Sequence, residues 1–254
     1  MGEKGFTEAG APAIVKEEKA MMKKIMAVAF FVAILKLVVL DLAFAYEVAE
    51  VTNGGTIEGS VRFSGSPPPP NVVEVGQDRE VCGKFQKIYE VEVKNGGVKN
   101  VLVKIVEIDK GKDFDFKEAV LGQKGCEFKP YILLTSPGKL TFSSSDPIPH
   151  NIHTKSILNP PINRTLNRLK RKSSLSVSFP ENIDIKCDLH GWMKAFVVVA
   201  EHPYYAITAD AGSFQLRDVP PGTYELEVWH EKLGSQKQEL TVEVGKKTVV
   251  EFTY

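Results

Sequence analysis

From Thr56 onward, apolar and polar residues alternate in short runs. Residues 56–63, 88–93 and 98–108 put an apolar side chain at about every second position, the period of a strand with one buried face. Asn95-Gly96-Gly97 separates the last two runs and predicts a hairpin, because Asn-Gly accepts the backbone angles of a tight turn. Residues 131–135 and 140–142 flank the turn Ser136-Pro137-Gly138, and residues 174–179 and 183–187 flank Pro180-Glu181-Asn182. Residues 195–200 are apolar without a break, as in a strand covered on both faces. Further runs follow at 205–209, 213–216, 223–229, 236–244 and 247–252, parted by Asp210-Ala211-Gly212, Pro220-Pro221-Gly222 and Gly245. Pro67 to Pro70 are stiff and cannot join a ladder. Helical periodicity is weak, and residues 113–121 and 163–172 are the two places where a helical turn or two is expected. Many short strands punctuated by turns predict an all-β sandwich or barrel. A boundary near His202-Pro203 divides the chain into a larger domain at 46–202 and a small sandwich at 203–254.

The first 45 residues break the pattern. Lys23-Lys24 precede an apolar stretch at 25–35, and Ala43-Phe44-Ala45 has the small-x-small form that precedes cleavage. Residues 1–45 read as an N-terminal extension and secretory signal, which predicts a periplasmic or otherwise extracytoplasmic protein beginning at Tyr46. Lys36 and Asp41 interrupt the apolar run before it reaches the ~20 residues of a membrane span. Membrane attachment is therefore expected only if this segment stays uncleaved.

Charge names no partner. The whole chain balances 32 basic against 32 acidic residues, and residues 46–254 keep 26 against 27. With no positive excess and no interleaved aromatic platform, nothing points to nucleic acid. Arg164, Arg168, Lys170, Arg171 and Lys172 do gather within nine residues. They read either as a solvated loop or as a surface that steers an acidic redox partner. No Ser–His–Asp order, H-E-x-x-H run or phosphate loop occurs, and no enzymatic role is expected.

The chemistry concentrates in Cys187-Asp188-Leu189-His190-Gly191-Trp192-Met193. Thiolate, imidazole and thioether stand at C-x2-H-x2-M spacing, with His150-Asn151 upstream. Two imidazoles and a thiolate in a plane, with a weak axial Met, are the ligands of a mononuclear blue-copper site. Thiolate and thioether suit Cu(I), and imidazole suits both oxidation states. Ligation by Cys187 also accounts for an odd cysteine count and leaves Cys82 and Cys126 free to pair, although three cysteines allow three pairings. A buried free cysteine is the plain alternative.

These residues resemble the cupredoxin family (plastocyanin-like, amicyanin-like) over roughly residues 131–200. The resemblance implies a Greek-key sandwich and one copper ion. It implies His150, Cys187, His190 and Met193 as the metal ligands and a redox protein as partner. It also gives Asn151 the task of fixing the loop that bears Cys187. His153 is expected on the same strand face as His150, as a substitute ligand, a hydrogen-bonding neighbour of the ligands or a surface side chain. Trp192 covers the metal, docks a partner or packs in the core. His202 and His230 are expected at the surface or in packing. Ile185 stands where the family often has an aromatic, and Lys194-Ala195 follow Met193 where a Gly is common.

Phe214-Gln215-Leu216 leading to Val219-Pro220-Pro221-Gly222-Thr223-Tyr224 resembles the carboxypeptidase regulatory-like (transthyretin-like) sandwich, over roughly residues 206–254. Such modules stabilise or present a neighbour. The expectation is an exported copper protein that passes single electrons. Copper delivery or sequestration is the alternative, and a metal-free structural or interaction sandwich is the third.

Overall fold

The computed structural model describes residues 46–116 and 119–254, together with Gly2 and Met26 as isolated positions. The expected signal, with Lys23-Lys24 and Ala43-Phe44-Ala45, lies outside the described residues. Among the described residues no helix is long and apolar enough to cross a membrane.

Tyr46–Tyr254 forms one compact all-β unit built from two sandwiches. The first has a four-stranded sheet in the order Phe128–Lys129, Ala119–Gln123, Gly138–Ser144, Lys172–Val177. Facing it is a five-stranded sheet in the order Ile132–Thr135, Lys194–Val199, Glu181–Lys186, His150–Lys155, Asn163–Leu166. Period-2 alternation sends Leu140, Phe142, Leu175 and Val177 from one sheet onto Ile152, Leu166, Ile183, Ile185, Val197 and Val199 of the other. Each such side chain contributes about 1.5–3 kcal/mol relative to exposure.

The second sandwich is not made of residues 203–254 alone. Gly55–Arg62 lies between Ser213–Val219 and Lys247–Thr253, and Leu102–Ile105 lies between Tyr205–Ile207 and Gly222–His230. Ile57, Val61, Val98, Val103 and Ile105 from the N-terminal side share one core with Leu216, Leu226, Val228, Val242 and Phe252. Strands from both sides of the expected boundary at 202–203 thus share this sandwich. The reason is physical: each of its two sheets has an interior strand supplied from upstream.

Lys194–Val199 joins the two sandwiches. Ala195, Val197 and Val199 face the first core, while Phe196, Val198 and Ala200 pack with Leu102, Ile132 and Tyr205 of a second cluster. That is why its sequence is apolar throughout.

The helical expectations are corrected. Residues 163–172 contribute the strand Asn163–Leu166 and the start of Lys172–Val177, and Ala119–Gln123 is also a strand. Pairing with the His150 strand overrides the helix preference of the Arg, Lys and Leu side chains in this segment. Arg79–Cys82 forms the short helix among the described residues.

Candidate metal centre

The Cys187–Met193 loop is the closed end of a hairpin. Glu181–Lys186 runs into it and Lys194–Val199 runs out, with Lys186 opposite Lys194. The loop is cinched by its own backbone, for Met193 N–H donates to His190 O at 2.9 Å and Cys187 N–H to Met193 O at 3.3 Å. The adjacent strand pairs His153 with Lys186, so its first residue, His150, arrives beside the loop.

The ring nitrogens of His150 and His190 and the sulfur of Cys187 lie within 4.8 Å of one another, all three side chains buried. His150 Nδ1 is 3.0 Å from His190 Nδ1, and Cys187 Sγ is 3.8 Å from His190 Nδ1. Met193 is 2% exposed and packs in the same core as Cys187. Ligand atoms at about 2.0 Å (nitrogen) and about 2.3 Å (sulfur) from one centre stand about 3.3–3.5 Å apart N to N and about 3.7 Å apart S to N. The sulfur-to-nitrogen separation agrees with such a donor set, while the two nitrogens stand somewhat closer together than a shared ion would hold them.

The outer nitrogens strengthen that match. His150 Nε2 meets Asp146 Oδ2 at 2.9 Å, and His190 Nε2 meets Asp78 Oδ2 at 3.0 Å. A carboxylate accepts, so each of these contacts is made by an Nε2–H, and the Nδ1 atoms face inward. Both Nδ1 atoms face the same place, beside a sulfur, a grouping of donors that could hold a metal ion.

Burial pushes His150 below the ordinary histidine range, aided by the neighbouring His190 and opposed by Asp146, which keeps its ring neutral and able to ligate. Burial acts to raise Asp146, but N–H groups of Cys126 and Gly125, with His150, outweigh it and hold this carboxyl below its usual range. Those two N–H bonds measure 2.9 Å and 2.8 Å.

Asn151 ties the loop to the strand. Its Oδ1 accepts from Asp188 N–H at 2.5 Å, and its Nδ2 donates to Asn163 Oδ1 and Asp188 Oδ2 at 2.6 and 2.9 Å. Its backbone N–H points at Cys187 Sγ at 3.5 Å. His153 lies three residues beyond His150, and that odd separation turns it to the opposite strand face, correcting the expected placement. There it binds Asp188 at 3.0 Å. Hydrogen bonds from His153, Asn163 and Asn151 bring Asp188 down to about 2. Trp192 packs its ring 5.2 Å from that of His190 and donates Nε1–H to Cys126 O at 3.1 Å. His202 and His230 are buried.

Cys82 and Cys126 are joined by a disulfide, with Cα atoms 5.3 Å apart, and Cys187 is the free thiol. Sequence reasoning missed Asp78 and Asp146. Asp146 stood in view four residues before His150, but Asp78 is 112 residues from His190, and no spacing announces that contact.

A carboxypeptidase regulatory-like domain matches residues 193–254, less than half of the chain. No curated protein matches. Among solved structures, part of the chain is similar to cupredoxins. The purple cupredoxin from Nitrosopumilus maritimus is 20% identical, with TM-score 0.28, covering 33% of this chain and 100% of that one. Amicyanin from Paracoccus versutus is 13% identical, with TM-score 0.30, covering 39% and 97%. The copper-containing nitrite reductase from Thermus scotoductus SA-01 is 17% identical, with TM-score 0.30, and the match spans 38% of this chain and 25% of that enzyme.

Proposed function

We propose that this protein holds one copper ion through His150, Cys187, His190 and Met193 and passes single electrons to and from a partner protein. The observation that carries the reading is the convergence of the His150 and His190 Nδ1 atoms, 3.0 Å apart, beside the buried sulfur of Cys187. Copper bound there supplies a one-electron couple between its two oxidation states. The protein's own residues do the rest. Cys187 would hold the ion through its thiolate, His150 and His190 through imidazole nitrogens, and Met193 through its thioether. Asn151 fixes the loop, and burial of all four side chains keeps water out. A site on three adjacent strands has little freedom to rearrange, which suits electron exchange better than release of the ion. That favours a carrier over a delivery protein, and a carrier over an enzyme.

The basic segment lies at the same end of the sandwich, because Leu166 pairs with His150. Arg168 Nε donates to Pro147 O at 2.6 Å, and Arg171 Nη1 to Ser144 O and Asp146 O at 3.2 Å. Among the described residues, none of Arg164, Arg168, Lys170, Arg171 and Lys172 has a carboxylate ion-pair partner. An acidic face on the partner protein would complement them. An extracytoplasmic location fits both the leader-like N-terminus and the disulfide.

The test is Cu(II) titration of the purified protein, followed by visible and EPR spectra, with Cys187→Ser as control. An intense thiolate-to-copper band with narrow hyperfine splitting, lost in the control, is the expected result. Weak colour and ordinary tetragonal signals would assign the protein to copper handling. No stoichiometric binding would leave a scaffold and end the ligand assignment.

A further inference from the structure

Ligation explains the inner nitrogen of each imidazole. It leaves the outer nitrogens, and the two carboxylates on them, without a purpose. We propose that Asp78 and Asp146 are positioning residues of this centre. They hold His190 and His150 by their Nε2–H groups and shift the bound copper toward its oxidised state. The inference rests on the copper reading above.

The two contacts are alike in chemistry and unlike in origin. Asp146 reaches His150 from four residues upstream, at 2.9 Å. Asp78 reaches His190 from 112 residues upstream, at 3.0 Å. Each aspartate is itself anchored, Asp146 through its carboxylate and Asp78 through its backbone carbonyl. Asp146 accepts from the Gly125 and Cys126 N–H groups. Asp78 precedes the short helix Arg79–Cys82, and its carbonyl accepts from Val81 and Cys82 N–H at 3.0 and 2.9 Å. The disulfide then links Cys82, at the end of that helix, to Cys126, whose N–H holds Asp146. One covalent bond thus braces both carboxylates against the two rings.

Two consequences follow. A carboxylate on Nε2–H fixes the tautomer and ring plane and makes Nδ1 a stronger donor. Its negative charge close to the metal also stabilises the higher charge of Cu(II) more than that of Cu(I), and burial weakens the screening. The Asp78 contact has a third effect. It leaves the His190 ring fully buried, so the imidazole edge is sealed by a carboxylate instead of meeting solvent. A merely structural tie would hold the loops equally well and leave the metal's electronic balance alone.

Asp78→Asn and Asp146→Asn separate the two roles, since Asn keeps the size and a carbonyl acceptor while removing the charge. Copper affinity and midpoint potential are measured for the wild-type protein, both variants and Asp78→Glu. The expected result is about a ten- to hundredfold loss of Cu(II) affinity in the Asn variants. Each tenfold of Cu(II)-selective loss raises the midpoint by about 59 mV. The Glu variant, which retains the charge, moves back toward wild type. Should Asp146→Asn fail to fold, Asp78→Asn decides alone, because the Asp78 side chain is 31% exposed and tolerates exchange. Copper-loaded variants with wild-type affinity and potential would overturn this inference and leave the copper reading standing. A wild-type protein that binds no copper would overturn both.

Discussion

Cys82 and Cys126 are bonded across 44 positions of sequence, and the backbone N–H of Cys126 donates to the carboxylate that holds His150. The bond closes a loop whose entropy in the unfolded chain is worth about 4 kcal/mol in the chain-entropy account. Cys82→Ser with Cys126→Ser is expected to lower unfolding free energy by about that amount in urea titration. It should also weaken copper binding, since the Asp78 segment loses its brace. Equal copper affinity with and without the bond would show that the disulfide serves the fold alone.

Asn151→Ala is expected to loosen the ligand loop. The substitution deprives Asp188 N–H and Asn163 Oδ1 of their partners. Asp188 and Asn163 are exposed and water can replace those bonds, so the effect falls on loop geometry more than on stability. Copper affinity should fall about tenfold or more, and EPR of the loaded variant should show broadened hyperfine lines. Unchanged lines and affinity would mean the backbone cinch between His190 and Met193 is enough.

Much of this was legible in the chain. Period-2 runs located most strands of both sandwiches, and the unbroken apolar run at 195–200 told that this strand has two covered faces, Val197 inward and Phe196 outward. The C-x2-H-x2-M loop and the His-Asn pair contain His150, Cys187 and His190, whose donor atoms the fold brings within 4.8 Å of one another. Strand partnership was not legible. Gly55–Arg62 pairs with Ser213–Val219 and Lys247–Thr253, and hydrogen-bonded register between segments so distant leaves no local mark. Asp78 was hidden for the same reason. Aspartate is common in loops, and only the folded chain shows which one meets an imidazole.

The two-ended sandwich leads to a truncation experiment. Residues 203–254 expressed alone lack an interior strand in each of their two sheets, together with Ile57, Val61, Val103 and Ile105. They are expected to give an unfolded circular dichroism spectrum and poor NMR dispersion. The junction is also tight, for a Cβ on Gly97 would stand 2.0 Å from Ala211 O. Gly97→Ala in the full protein must therefore force the upstream hairpin away from the 210–212 turn, lowering Tm. A folded 203–254 fragment would restore an autonomous C-terminal domain.

His202 makes stability depend on pH. Its Nε2–H donates to Ile105 O at 3.0 Å, and its Nδ1 accepts from Tyr204 N–H at 3.2 Å. Both nitrogens are thus satisfied in a neutral ring, which is 2% exposed. A second proton would break the Tyr204 contact and bury a charge. Burial, with the nearby Lys104 adding to it, pushes this histidine down to about 4. An unfolded chain titrates near 6.5. Above that pH the ring is neutral in both states and its contribution is complete. Below it the unfolded chain takes a proton that the folded one refuses, so stability drains as pH falls from about 6.5 to about 4. The loss from this one group reaches about 3 kcal/mol. Urea unfolding of the wild type and His202→Gln at pH 7.5, 5.5 and 4.5 measures it. Gln cannot titrate, so the stability gap between the two proteins should narrow as pH falls. Two parallel profiles would place the acid sensitivity elsewhere, among the carboxylates that the fold holds ionised.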